Sequence, residues 1–170
     1  MRILSFDISA SPGIALLEVK KGKPVLLNAC HIETDSNHSD AQRYSYIQAI
    51  ATKFIHENAP YDVVVREKFI RGGSKRSTQL VFGAWASVDK ALAVYGYKID
   101  PENELVASTV KKVMSGNGRA EKEDVAEGVI KILGEDSRRW FFTERGRLLD
   151  DRADAAGIGL TYLIKKGLIK

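Results

Sequence analysis

The chain has 170 residues, 44% of them hydrophobic and 28% charged, a length and balance that predict one globular domain over residues 1–170. A lone cysteine, Cys30, excludes an internal disulfide and any zinc ribbon, and no apolar run approaches the roughly 18 residues of a membrane-spanning helix. The net charge of +4 is mild, but basic residues gather at 66–76, 111–122 and 138–152, an arrangement that suits a phosphate backbone.

Residues 2–8 are predicted as a first strand with Asp7 near its end. An acid reached so early does not fit a signal peptide, so a cytoplasmic location is expected. Residues 9–13, containing Pro12 and Gly13, are turn chemistry, and 14–19 form a second strand. A turn around Gly22 leads into a third strand at 24–32, which makes the first third an antiparallel meander. Cys30 lies in the apolar pattern of that strand, where a buried thiol is expected rather than a nucleophile. His31 and His38 lack the spacing of a metal pair and are assigned surface roles. A helix is predicted from Asp40 to Asn58, with Ile47, Ala51, Phe54 and Ile55 at helical spacing. Ser39 or Asp40 caps it, and Pro60 marks its stop.

Residues 62–67 read as a strand buried on both faces and ending in Glu67. The intervening helix allows this strand to lie parallel to the first, which would place Asp7 and Glu67 at the same sheet edge. A basic, glycine-containing loop follows over 68–76. It offers Phe69 to stack on bases and Arg71, Lys75 and Arg76 to meet phosphates. A helix at 77–95 carries the stripe Leu80, Val81, Ala84, Val88, Ala91 and Leu92, with Trp85 read as core or interface. An edge strand is expected at 104–107 and a short helix through Met114. The glycine loop 115–119 offers backbone amides to a phosphate. A helix at 120–133 precedes a polar stretch whose island Trp140-Phe141-Phe142 is expected to dock on the core. The last helix, 150–165, opens with Asp150, Asp151 and Asp154 and then turns small and apolar, suited to lie close against a sheet.

Capping explains one acid at a helix start, not three. Asp7, Glu67, Asp151 and Asp154 in one place would repel strongly, and two divalent cations about 4 Å apart would relieve that repulsion. Oxygen ligands select Mg²⁺ or Mn²⁺. An acidic centre with a basic rim is what a metal-dependent nuclease requires.

At these residues the chain resembles the RuvC Holliday-junction resolvases of the ribonuclease H-like superfamily, over most of its length. Asp7 matches the first-strand acid and Glu67 that of the fourth strand. The segment Asp151-Arg152-Ala153-Asp154-Ala155-Ala156-Gly157 is similar to the final acidic motif. Phe69 falls where the family has an aromatic near the junction centre. Lys111, Lys112, Arg119 and Lys122 fall in a stretch similar to the family's DNA-contacting one. The resemblance implies an α/β, RNase H-like fold: a mixed five-stranded sheet, antiparallel meander plus parallel strands, flanked by helices. It also implies a Mg²⁺-dependent homodimer, with Mn²⁺ as a substitute, that nicks two strands at a four-way DNA junction. The turn after Asp7 departs from the family, with Pro12-Gly13 displaced by Ile8-Ser9 and the residues that follow. The Asp150–Asp151 doublet leaves the third acid open by one position, with the three-residue spacing to Asp154 favouring Asp151. These departures bear on substrate selectivity and on coupling to a branch-migration motor, and they suit a phage or mobile-element version.

Two other readings use the same residues: an RNase H-like nuclease on hybrids or flaps, and a branched-DNA-binding module without catalysis. A two-domain actin-like kinase, whose first strand also ends in Asp, needs a longer chain. For the homodimer, helix 77–95 has apolar surface enough for both a core and a partner.

Overall fold

In the computed structural model, which describes residues 1–69 and 73–169, the chain is organised around a five-stranded mixed sheet of order β3-β2-β1-β4-β5. The strands are β1 (Arg2–Asp7), β2 (Gly13–Lys20), β3 (Lys23–His31), β4 (Val63–Glu67) and β5 (Glu104–Leu105). β1, β2 and β3 pair antiparallel, the expected meander, and β4 is parallel to both β1 and β5. The helices are α1 (Asp40–Asn58), α2 (Lys75–Val94), α3 (Ala107–Ser115), α4 (Lys122–Leu133), the single turn α5 (Arg138–Phe141) and α6 (Asp150–Lys165). Among the described residues, no helix is long and apolar enough to cross a membrane.

Alternation along the strands divides the core into two layers. Leu4, Phe6, Ile14, Leu16 and Val64 pack under α1 and α2, whereas Ile3, Ala15, Leu17 and Val65 pack under α3 to α6. Ser39 caps α1 in a reciprocal capping box with Gln42, and the predicted stripe Ile47, Ala51, Phe54 and Ile55 is buried. α6 is buried from Ala155 through Leu163 and rides directly on the sheet. A Cβ added at Gly159 would stand 2.5 Å from Leu17 and 2.9 Å from the Ser5 hydroxyl, so the close approach depends on the small residues.

Two expectations are revised, and one element was not foreseen. The edge strand is only Glu104–Leu105, because Ala107 already opens α3. Most amides of the 115–119 loop are already bonded. Gly116 N donates to Lys112 O, Asn117 N to Ser115 Oγ, Arg119 N to Asn117 Oδ1 and Ala120 N to Asn117 O, so no run of successive amides is left to form a nest for a phosphate. The polar stretch before α6 is also more ordered than its composition suggests. After α5, Phe142 bridges to Leu148 across a tight hairpin, with Gly146 at φ +75° and Thr143 Oγ1 accepting from Arg147 N. The aromatic island docks as expected: Phe141 is fully buried, with Trp140 and Phe142 packed beside it.

Candidate active site

Asp7 and Glu67 close adjacent parallel strands. The register Ile3↔Val63 to Phe6↔Arg66 carries them, one step further, to the same end of the sheet. Odd positions of β1 and β4 face the α6 side, as Ile3 and Val65 show, so both carboxylates turn towards that helix. The first turn of α6 is seated there by Gly13, where an added Cβ would lie 1.8 Å from the carbonyl oxygen of Asp151. Asp151 and Asp154 therefore enter the mouth framed by the ends of β1 and β4.

The electrostatics register this convergence. The Asp7 carboxyl is pushed well above its ordinary range, first by burial and then by Asp154, Glu67 and Asp151, with only Lys122 opposing. Burial, followed by the charge of Asp154, raises Glu67 to about 7 against the pull of Lys111. Burial raises Asp154 to about 6, with Lys122 opposing and Asp150 and Asp151 adding to the rise. Asp151 is raised by burial and Asp150, and eased by Lys122 and His31. Asp150 behaves differently. Burial is the largest single influence and works upward on it too, but the hydrogen bond and charge of the Lys122 ammonium together with backbone N–H bonds outweigh it, and its carboxyl lies below the usual value. Asp150 has its cation; the other four acids lack one of their own.

Among the described residues, no three acidic, His or Cys side chains are drawn close enough to enclose an ion as they stand. The fold nonetheless brings Asp7, Glu67, Asp151 and Asp154 to one mouth, and the donor chemistry fits a hard divalent cation: oxygen ligands, with no thiolate or imidazole among the four.

The basic residues sort into several roles. Lys122 binds Asp150, and Lys111 donates to the Ala120 carbonyl at 2.8 Å while its charge reaches Glu67 and Asp154. Lys75, Lys112 and Arg119 are exposed and form no ion pair among the described residues. Arg76 is held by Asp40. Arg71 lies outside the described residues. Phe69 is packed edge-on against Phe82 and Trp85, at 5.1 and 6.2 Å between centroids. Arg66, counted in the first basic cluster, is buried beneath that aromatic group. It lies 3.8 Å over Trp85 and pairs with Glu104 and Asp89, so it serves the fold. Cys30 is partly buried with its thiol raised to about 11 by burial, as suits a structural residue.

Sequence reasoning missed His31. It ends β3 opposite Gly13, and its Nδ1 accepts from Arg152 Nε at 3.2 Å across 121 residues of chain. No local pattern signals that contact.

The mixed five-stranded sheet with its flanking helices is a ribonuclease H-like α/β fold. Over its whole length, in sequence and in fold, the chain is RuvC-like. It is 28% identical over 168 residues to the crossover junction endodeoxyribonuclease RuvC of Prochlorococcus marinus, covering 98% of this chain and 99% of the relative. It is 29% identical over 167 residues to that of Rickettsia bellii, with the same coverage. Thermus thermophilus RuvC in complex with a Holliday junction superposes with a TM-score of 0.77 at 25% identity, covering 100% of this chain and 98% of the other. The yeast mitochondrial Holliday junction resolvase Ydc2 shares the fold alone, with a TM-score of 0.68 at 14% identity, over 98% of this chain and 79% of Ydc2. No family model matches the chain.

Proposed function

We propose that residues 1–170 form a single nuclease domain that resolves four-way DNA junctions by metal-dependent phosphodiester hydrolysis. The observation carrying this reading is the set Asp7, Glu67, Asp151 and Asp154, brought to one sheet edge and left without cations of their own, in a chain RuvC-like from end to end. These four residues would hold Mg²⁺, with Mn²⁺ able to substitute. Asp151 is the third ligand rather than Asp150, since Lys122 already engages Asp150. When bound, the metal supplies water activation and charge neutralisation at the phosphate.

The protein's own residues supply the rest. Lys111 and Lys122 stand at the α3–α4 side of the mouth, where their charge draws a phosphate backbone towards acids that would otherwise repel it. Lys75, Lys112 and Arg119 extend that surface, Arg76 stands beside Lys75 in the first turn of α2, and Phe69 meets bases near the crossover. A homodimer through the outer face of α2 presents two such mouths to a two-fold junction, so that paired nicks follow from symmetry. A binding module without catalysis would gain nothing from buried, mutually repelling carboxylates, which favours the enzymatic reading over the architectural one.

Asp7→Asn or Glu67→Gln is expected to abolish cleavage, by about 10³-fold or more, while leaving junction affinity in EDTA within about twofold. A variant that still cuts at the wild-type rate removes that residue from the site.

A further inference from the structure

The third basic stretch, 138–152, is not absorbed by the site as described. Arg138 is spent on Glu127 and Glu135 and stacks over Phe142, and Arg152 is turned to His31 and the Trp140 carbonyl. Arg147 differs: it is exposed, and its guanidinium makes no hydrogen bond or ion pair among the described residues. It is also held in place. The Phe142–Leu148 bridge, the Thr143 N to Arg147 O bond at 2.9 Å and the Arg147 N to Thr143 Oγ1 bond at 3.0 Å fix its backbone on a short hairpin immediately before α6.

That hairpin forms one wall of a polar cavity of about 110 Å³. Ser11 and His31 contribute the facing wall, Asp150 and Asp151 the floor, and Glu33 the exposed rim. Because His31 Nδ1 accepts from Arg152, the ring proton sits on Nε2, which leaves that nitrogen a donor. The cavity thus gathers Arg147, His31 and Ser11 as lining residues together with the third acid. It lies where the end of β3 meets the start of α6, with Lys122 bound to Asp150 of its lining. We infer that Arg147, His31 and Ser11 form a second phosphate subsite, which takes a backbone phosphate of the cleaved strand next to the one at the acids. This rests on the nuclease reading above. Arg152 positions His31 within it. Of the cavity's carboxylates, Asp150 is matched by Lys122, whereas Asp151 and Glu33 have no cation of their own and oppose a bound phosphate in EDTA.

The test is affinity of the full chain for a four-way junction in EDTA, where nothing is cut, measured from 50 to 200 mM salt. Arg147→Ala should weaken binding about fivefold and lower the slope of log affinity against log salt by about 0.9, one phosphate contact. His31→Ala should weaken binding through loss of the Nε2–H donor. Glu33→Gln should tighten binding. Arg145→Ala, an equal loss of charge on the same turn but outside the cavity, should leave the slope alone. Single neutral methylphosphonates along the strand then locate the contact: at one position beside the cut, the substitution costs wild type but not Arg147→Ala. An Arg147→Ala slope equal to wild type, or an Arg145→Ala loss equal to that of Arg147→Ala, overturns the subsite. Failure of the wild-type chain to bind the junction at all overturns the nuclease reading, and the subsite with it.

Discussion

Asp150 and Asp151 are neighbours of the same chemistry with opposite behaviour. Lys122 neutralises the first, while the second joins three carboxylates raised by burial and by one another. Raised acids make the metal-free fold sensitive to alkali. Glu67 moves from 4.5 to about 7 and Asp154 from 3.8 to about 6, so the folded chain holds protons that the unfolded chain releases. Stability from these groups is therefore fully present below about pH 4 and is lost as pH rises towards 7. In EDTA, the wild-type melting temperature should fall between pH 5 and 7.5, corresponding to roughly 3 kcal/mol. Asp154→Asn should flatten that fall and raise the melting temperature at pH 7.5, and Mg²⁺ should restore stability to wild type far more than to the variant. Identical, pH-independent melting of both proteins in EDTA would show that the acids are not coupled in this way.

Among the elements, α6 has the tightest seat. Gly13→Ala would drive a methyl into the Asp151 carbonyl, which cannot move without shifting the helix start. It should cost about 2–4 kcal/mol in chemical denaturation and reduce cleavage sharply, although Gly13 carries no chemistry. A variant with wild-type stability and activity would mean that α6 sits elsewhere. Much of this arrangement was legible beforehand. Valine-rich β4, the meander and the helix between them allowed Asp7 and Glu67 to be neighbours, and the Ala and Gly residues of α6 announced a close approach. The hairpin at 142–148 was not legible, because its one bridge is too short for a strand period; Gly146 was the only local signal. His31 was read as a surface residue because its partner Arg152 is 121 positions away. The 115–119 loop was misread because glycine content reveals flexibility of backbone, not whether its amides are already bonded. Charge content misled similarly at Arg66, a cation that the fold consumes.

For the whole molecule, among the described residues α2 leaves apolar side chains uncovered at two places, Phe82 in its first half and Val94 at its end. Phe82 and Val94 are 51% and 63% exposed, beside Tyr95, on a helix whose other side is buried against α1 and the sheet. Light scattering at working concentration should give about twice the 18.8 kDa chain mass, and Phe82→Asp should shift it towards one. A wild-type mass near one chain would remove the symmetric basis for paired nicks. The most direct test of the account is cleavage of a labelled mobile four-way junction beside its matched linear duplex, in Mg²⁺, Mn²⁺ or EDTA, with Asp154→Asn alongside. Paired nicks near the crossover with either metal, lost in EDTA and in the variant and absent from the duplex, are the predicted result. Binding without nicks in any metal would contradict it.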